Sequence, residues 1–226
     1  MLRVSFLSSG SGYTTATILH AIQKGVLTNI IPVSIISDRE SKSLDLASKF
    51  HIIPHVVNYH DASSREEFSD NILHIFKKES IDVSFSTFDR ILSGKILHSY
   101  KNRLINIHPS LLPSFPGYGT TAQAIKYGSK FIGATCHFID AEIDHGPIIN
   151  QAILPLNDNE NLDSINQKLY KLKQQLALES LYAFCTNLIT VKDRYVKIKT
   201  AQYDSLPVNP TLNLPQIIDF LRTYDK

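Results

Sequence analysis

Residues 2–7 (LRVSFL) and the small residues 8–12 (SSGSG) that follow them predict how this chain folds. The first run is short and apolar, which is typical of a buried strand, and the serine- and glycine-rich run indicates a tight loop. The β-branched run 30–36 (IIPVSII) is a second strand. A helix between the two strands is predicted from apolar residues at helical spacing, namely Ile18, Leu19, Ile22 and Val26.

The alternation of helices and strands continues through the first half of the chain. A short helix is predicted at residues 44–50 and strands at residues 52–57 and 81–85. Ser64 and Glu67 have the spacing of a capping box at the start of a longer helix. This order predicts an α/β fold, with an open, mostly parallel, twisted sheet and helices on both faces, as in Rossmann-like proteins.

The second half of the chain is predicted to be less regular. Residues 104–107 form a strand that ends before Pro109, and residues 131–139 and 147–154 form two more strands. The clearest helix of the chain has apolar residues three and four positions apart, namely Leu162, Ile165, Leu169, Leu172 and Leu176.

Length and composition exclude several classes of protein. The 226 residues, 43% hydrophobic and 19% charged, are ordinary for a globular chain with a buried core. We expect one domain over residues 1–190 and a C-terminal extension, residues 191–226, packed on it or trailing from it. A net charge of +2 is too small to favour nucleic acid or an anionic membrane as the main partner.

Cysteine usage and hydropathy indicate a protein of the cytoplasm. Cys136 and Cys185 are far apart and form no CxxC pair, which excludes a disulfide framework and a thiolate zinc site. The N-terminus does not resemble a signal peptide, and no apolar run approaches the roughly 18 residues of a membrane span.

A polar pair at the end of one strand is the most informative feature for function. In residues 105–110 (INIHPS), Asn106 and His108 lie two positions apart on a strand and therefore point to the same face. Pro109 keeps His108 extended and ends the strand. Ligands bind at the carboxyl ends of strands in open α/β sheets, so this pair is a candidate site. The alternative is a histidine that only hydrogen-bonds to a loop.

An acidic turn, residues 140–147 (DAEIDHGP), joins two apolar strands. Such a turn is usually a solvated hairpin. If the fold brings Asp144 to His108, however, the carboxylate would orient the imidazole and stabilise the imidazolium. A metal site of His108, His137 and Asp144 is a further alternative, but its spacing matches no ligand motif and we expect no metal.

Two loops that follow strands could bind ligands. The segment Gly10-Ser11-Gly12 could bring backbone N–H groups to a phosphate beside a helix N-terminus. It is neither a Walker loop nor a full GxGxxG motif, so a simple turn between strand and helix is the alternative. Residues 89–92 (DRIL) could face a flat heterocycle, or form only a surface salt bridge at a helix start.

Together these segments resemble the 10-formyltetrahydrofolate-dependent formyltransferases. The resemblance is carried by residues 105–113 (INIHPSLLP), by Pro116-Gly117 and by residues 133–149 (GATCHFIDAEIDHGPII), and it extends from about residue 2 to residue 188. Within this family the chain is most similar to the members that formylate glycinamide ribonucleotide in purine biosynthesis. The resemblance also implies the family's Rossmann-like fold.

The resemblance implies direct transfer of a formyl group from the co-substrate 10-formyltetrahydrofolate to a primary amine, through a tetrahedral intermediate and without a metal. It implies a catalytic trio of Asn106, His108 and Asp144, in which the first two stabilise the oxyanion and His108 moves protons. The implied partners are small molecules only, the folate and a phosphorylated amine. The protein is expected to be a monomer or a homodimer.

The resemblance also implies two groups of binding residues. The folate would be bound by Arg65, Asp89, Arg90, Ile91, Leu92, Asn106, Asp140, Ala141, Glu142, Ile143 and Asp144. The acceptor nucleotide would be bound by Gly10, Ser11, Gly12, Tyr13, Thr14, Tyr170 and Lys173.

Three segments depart from the family's pattern. Residues 13–14 (YT) stand where the family usually has Ser-Asn, residues 87–89 (TFD) where it often has Gly-Phe-Met, and Lys173 where a glutamate binds ribose hydroxyls. The catalytic residues are thus present while the acceptor pocket is altered. The alternative is that Lys173 is only a surface lysine of an amphipathic helix and that ribose is bound elsewhere. Three alternatives follow: formyl transfer to another amine such as an amino-sugar nucleotide, hydrolysis of the formylfolate, and a paralogue that binds folate or nucleotide without catalysis.

Overall fold

A computed structural model describes residues 1–157 and 160–224 of the chain. The strands are β1 (Leu2–Ser8), β2 (Ile30–Ser37), β3 (Ile53–Val56), β4 (Val83–Thr87), β5 (Leu104–His108), β6 (Phe131–Phe138), β7 (Ile148–Pro155), β8 (Ile189–Lys192), β9 (Tyr195–Ile198) and β10 (Val208–Asn209). The α-helices are α1 (Tyr13–Gln23), α2 (Asp45–Phe50), α3 (Arg65–Lys78), α4 (Lys95–Ser99), α5 (Thr120–Tyr127), α6 (Leu162–Cys185) and α7 (Pro215–Thr223). Short 3-10 turns lie at Lys42–Leu44 and Tyr59–Asp61.

An eight-stranded sheet has the strand order β10-β7-β6-β5-β4-β1-β2-β3, and β8 pairs with β9 in a second sheet. β1 runs parallel to both β2 and β4, and the pairs β2–β3 and β4–β5 are also parallel. β7 is antiparallel to β6 and β10. The predicted open and mostly parallel sheet is therefore confirmed, and the predicted strands begin and end within two residues of the observed ones. The helices differ more, since α1 ends before Val26 and α6 continues nine residues beyond Leu176.

The chain divides into two compact units. The first comprises Met1–Asn106 and Phe138–Ala141, and the second comprises Ile107–His137 and Glu142–Lys226. Within the expected extension, the described residues contribute β9, β10 and α7 to the second unit. The domain boundary at residue 190 stays a prediction.

The first unit is built around a buried hydrophobic cluster to which α3 contributes Phe68 and Phe76. The start of α3 follows the predicted capping pattern with one difference. Ser64 Oγ accepts the N–H of Glu67 at 3.1 Å, but the Glu67 carboxylate accepts the N–H of Ser63 at 2.7 Å, one residue before the expected position. Hydrogen bonds from the Ser63 hydroxyl and backbone lower the pKa of the Glu67 carboxyl.

The long helix α6 contains a buried carboxylate in the second unit. Its buried Glu179 accepts hydrogen bonds from the hydroxyl of Thr211 and the N–H of Leu212, each at 2.9 Å. These bonds satisfy a carboxylate that would otherwise be costly to bury, and they attach the residue 211–212 segment to the helix. No helix among the described residues combines the length and hydropathy needed to cross a membrane.

Candidate functional site

The second unit brings Asp144 to His108. His108 is the last residue of β5, and its side chain is only 6% exposed. Its Nδ1 lies 3.4 Å from Asp144 Oδ2, and its Nε2 lies 3.1 Å from the carbonyl oxygen of Phe115. Both ring nitrogens thus face oxygen atoms, and a protonated ring has an N–H donor for each of them.

The Asp144 carboxylate is fixed by backbone as well as by side chains. The N–H of Gly117 donates to Asp144 Oδ2 at 2.8 Å, and Oδ1 lies 3.8 Å from His137 Nε2. Asp144 itself has a φ of 53°, in the left-handed region.

The sequence interpretation considered His137 only as a possible metal ligand. The structure instead places its ring beside the carboxylate, and no group of three His, Cys, Asp or Glu residues in residues 1–157 and 160–224 is arranged to hold a metal ion.

A buried hydrogen-bond network shapes the loop that follows His108. Thr135 Oγ1 donates to Ser110 O at 2.7 Å and accepts the N–H of Leu112 at 3.1 Å. Gln151 Nε2 donates to Leu112 O and to Thr135 Oγ1, both at 2.9 Å. Sequence reasoning missed Thr135 and Gln151. The only signal is that both are polar residues within strands that are otherwise largely apolar.

Close packing explains a glycine beside this network. A Cβ added at Gly133 would lie 2.0 Å from Ala152 O and 2.6 Å from Leu111 Cδ2. Only glycine allows this approach of β6 to β7 and to the loop.

A cavity of about 700 Å³ lies between the start of α5 and the first half of α6. Its lining includes Tyr170 and Lys173, the two residues of α6 that were predicted to bind the acceptor. Pro109, the residue after His108, lines the same cavity. Thr120, at the first turn of α5, donates from its hydroxyl to Pro109 O at 2.7 Å. The cavity therefore presents a lysine where the family pattern has a carboxylate.

The glycine-rich loop lies in the first unit, between β1 and α1. Gly12 adopts a φ of 66° just before α1, and a Cβ there would lie 2.7 Å from the Cβ of Ser43. The N–H of Ser43 donates to Gly10 O at 3.1 Å, which fixes the loop from the side of the 3-10 turn. Ser11 and Tyr13 are exposed while Thr14 is buried. The first N–H groups of a helix are suited to anions, and phosphate binding by this loop stays a prediction.

The loop after β4 is held by a carboxylate that the sequence did not point to. Arg90 Nε donates to Asp38 Oδ2 at 2.7 Å, and the hydroxyl of Ser9 donates to Asp38 Oδ1 at 2.8 Å. Burial would raise the pKa of the Asp38 carboxyl, but the bonds from Ser9 and Arg90 and the charges of Arg39 and Arg90 outweigh burial and lower the pKa.

The other predicted folate residues lie in different surroundings. Leu92 is buried in the core of the first unit, so only its backbone can face a ligand, whereas Ile91 is half-buried. Arg65 is exposed at the start of α3. Asn106 is the last residue of the first unit on β5 and is half-buried.

The predicted acidic loop has an exposed tip. Asp140 and Ala141 belong to the first unit, whereas Glu142, Ile143 and Asp144 belong to the second. Ala141, Glu142 and Ile143 are exposed, and Asp140 is half-buried.

Comparisons with known proteins agree on one family. Residues 2–181 match the family described as formyl transferase. The chain is 30% identical over 193 residues to a phosphoribosylglycinamide formyltransferase of Mycobacterium tuberculosis, covering 85% of this chain and 89% of that protein. It is 33% identical over 174 residues to the Drosophila melanogaster trifunctional purine biosynthetic protein adenosine-3, covering 75% of this chain but 13% of that protein.

The chain is also similar to a deformylase and to a solved structure. The chain is 34% identical over 185 residues to the mitochondrial formyltetrahydrofolate deformylase 1 of Arabidopsis thaliana, covering 81% of this chain and 56% of that protein. The crystal structure of glycinamide ribonucleotide transformylase 1 from Symbiobacterium toebii matches with a TM-score of 0.84 and 29% identity, over 88% of this chain and 94% of that one. The fold, the strand-end histidine with its carboxylate and these matches together show that the chain belongs to the formyl transferase family.

Proposed function

We propose that this protein transfers a formyl group from 10-formyltetrahydrofolate to the primary amine of glycinamide ribonucleotide, a reaction of purine biosynthesis. The observation that carries the proposal is the buried His108 with its ring nitrogens directed at Asp144 and at Phe115 O. The names of the Mycobacterium and Symbiobacterium relatives support the choice of acceptor. Both substrates are small molecules, and we propose that the protein acts on them in the cytoplasm as a monomer or homodimer.

The proposed reaction is a direct acyl transfer. The amine attacks the formyl carbon, a C–N bond forms, and the carbonyl oxygen becomes an oxyanion. The bond from carbon to the folate nitrogen then breaks, and the proton lost by the amine is delivered to that nitrogen. Such a reaction requires donors for the oxyanion and a group that moves one proton.

The proposed roles follow from the chemistry of the residues. The Nε2 of a protonated His108 would release the Phe115 carbonyl oxygen and donate a hydrogen bond to the oxyanion instead. Asn106, two residues earlier on β5, would donate a second hydrogen bond from its side-chain amide. Asp144 would hold the ring through Nδ1 and stabilise its positive charge. As the intermediate collapses, His108 or a water bound to it would pass the proton from the attacking amine to the leaving folate nitrogen.

Acceptor recognition is proposed to involve the cavity between α5 and α6, which Pro109 also lines. The phosphate would be bound by the loop of residues 10–14, and the ribose by the cavity that Tyr170 and Lys173 line. An ammonium group only donates hydrogen bonds, so Lys173 would donate to the ribose oxygens. A glutamate at this position would instead accept hydrogen bonds from the ribose hydroxyls. This difference keeps a second acceptor, such as an amino-sugar nucleotide, as an alternative.

Hydrolysis of the formylfolate is a second candidate function, and the similarity to the Arabidopsis deformylase favours it. Water would replace the amine as nucleophile, and the same His108 and Asp144 would serve. The two functions differ in one respect that an assay can detect, since hydrolysis needs no acceptor amine.

A spectrophotometric formyl-transfer assay tests the proposal. Purified protein is incubated with 10-formyltetrahydrofolate in the presence and absence of glycinamide ribonucleotide, alongside the variants His108→Ala and, as a matched control, His98→Ala at an exposed position of α4. We expect turnover that needs both the nucleotide and His108 and that survives the control substitution. Consumption of the formylfolate without an amine would favour the deformylase, and folate binding without turnover would favour a binding paralogue.

A further inference from the structure

Asp38 is a buried carboxylate that contacts two loops at once. It follows β2 directly, and its side chain has no exposed surface. Its neighbour Arg39 donates from Nη1 to Oδ2 at 2.7 Å, and the bonds from Ser9 and Arg90 complete the set. A buried charge is unfavourable unless it is paired and hydrogen-bonded, and here all three partners donate.

Sheet topology explains why one carboxylate reaches both loops. β1 lies between β4 and β2 in the sheet and is parallel to both. The carboxyl ends of these three strands therefore meet at one edge. Ser9 follows β1, Asp38 follows β2, and Asp89 and Arg90 follow β4 by two and three residues.

The first of these loops begins at Ser9. Its hydroxyl donates to Asp38 and accepts the N–H of Asp89 at 3.2 Å. The next residue is Gly10, whose carbonyl is held from the other side by the N–H of Ser43. The start of the glycine-rich loop is thus held between Asp38 and the 3-10 turn.

The second loop is fixed through its arginine. The guanidinium carbon of Arg90 lies 4.4 Å from the ring centroid of Tyr59, a cation–π contact, while Nε is bound to Asp38. Arg39 Nη2 also donates to Asp89 Oδ2 at 3.1 Å. These contacts orient the backbone from Asp89 onward, in the segment expected to face the folate.

We propose that Asp38 is a positioning residue that holds the backbone of both ligand-binding loops, the phosphate loop of residues 10–14 and the folate-facing segment of residues 89–92. This inference rests on the proposed function for the identity of the two ligands. Removing the charge of Asp38 while keeping its shape should loosen both loops together. A hydrogen bond to a charged partner is stronger than one between neutral groups, so we expect each affinity to fall about tenfold.

The test measures the two affinities separately by isothermal titration calorimetry. The probes are inorganic phosphate for the first loop and 5-formyltetrahydrofolate for the second. The variants are Asp38→Asn and Ser9→Ala, and the matched control is Asp45→Asn at an exposed position of α2. We expect Asp38→Asn to weaken both ligands, Ser9→Ala to weaken both by less because Arg90 still binds Asp38, and the control to change neither. Thermal unfolding is recorded in parallel, since a purely structural role would lower the Tm without changing the affinities of the folded protein.

Several outcomes would overturn the inference. If Asp38→Asn folds and binds both probes within twofold of the wild type, Asp38 positions neither loop. If only one affinity falls, it does not position both. If the wild type binds neither probe, the inference and the proposed function both fail. If the wild type binds both probes but transfers no formyl group, and Asp38→Asn loses both affinities, the proposed function alone fails.

Discussion

Asp144 Oδ2 lies 3.4 Å from His108 Nδ1 and accepts the N–H of Gly117 at 2.8 Å. The same oxygen thus joins the histidine at the end of β5 to the backbone of the loop that follows it. Because the Gly117 N–H is a fixed donor, the carboxylate remains directed at the ring. The charge of Asp144 and its shape can therefore be separated by substitution.

Asp144→Asn is expected to keep the shape of this contact and lose its charge. The amide oxygen can still accept from Gly117, but it cannot stabilise a protonated His108, so kcat should fall about 10²- to 10⁴-fold. Steady-state kinetics of formyl transfer check this, with Asp193→Asn in the exposed β8–β9 turn as the matched control. A loss of less than threefold would contradict the proposed role of the carboxylate.

Thr135→Val should destabilise the protein and slow the reaction. The substitution leaves the Leu112 N–H without its acceptor and removes the donor to Ser110 O, which should lower the free energy of unfolding by about 1–3 kcal/mol. The loop after His108 would then lose its fixed course, and kcat should fall as well. Urea unfolding and kinetics measure the two effects, and Thr190→Val at an exposed position of β8 serves as the control. Unchanged unfolding would show that the hydroxyl is dispensable.

The fold was predictable because each element is encoded locally. The apolar run of β1 and the glycines after it indicate a strand and a turn from a few neighbouring residues. The alternation of such segments then restricts the topology to few possibilities. The position of His108 at a strand end was predictable for the same reason, since Pro109 terminates β5.

The long-range side-chain contacts of the fold and of the site were not predictable from the sequence. Arg90 is 52 residues from Asp38, Gly117 is 27 residues from Asp144, and Thr211 is 32 residues from Glu179. No periodicity links such pairs, because each depends on which strand ends and loops the tertiary fold brings together. The sequence yields candidate residues for the chemistry, while the residues that contact these candidates from distant parts of the chain required the structure.

Lys173→Glu should improve the use of glycinamide ribonucleotide if ribose hydroxyls face this side of the cavity. A carboxylate accepts hydrogen bonds from vicinal hydroxyls, so we expect KM for the nucleotide to fall by up to about tenfold with little change in kcat. The matched control is Lys171→Glu, an exposed residue of the same helix. A KM that rises in Lys173→Glu would instead show that the cavity prefers an acceptor carrying an anionic group.

Asp38→Asn should make the free energy of unfolding fall less steeply as the pH is lowered. The pKa of Asp38 is lowered in the folded protein, despite its burial, by bonds from Ser9 and Arg90 and by the charges of Arg39 and Arg90. A lowered pKa means that the folded state binds the proton less readily than the unfolded state. The stabilisation of the folded state by ionised Asp38 is therefore fully present above the ordinary pKa of an aspartate. It is lost as the pH falls through the pKa that Asp38 has in the folded state.

Urea unfolding at a series of pH values between neutral and strongly acidic conditions measures this contribution. The wild type should lose stability more steeply than Asp38→Asn as the pH falls, and the Asp45→Asn variant should follow the wild type. Parallel curves for the wild type and Asp38→Asn would mean that the ionised Asp38 does not contribute to folding.

Cys136 should be unreactive in the folded protein. Burial raises the pKa of its thiol to about 12, against smaller opposing effects of hydrogen bonds from Ser180 and the His137 backbone. At pH 8 only about one thiol in 10⁴ would then be ionised, and the thiolate is the reactive form. In a Cys185→Ser variant, alkylation by iodoacetamide should be slow in buffer and fast in urea, as followed by mass spectrometry. Rapid labelling in buffer would mean that β6 opens readily beside His137, and the rigid arrangement of Asp144 and His108 would then need to be reconsidered, since His137 faces that same carboxylate.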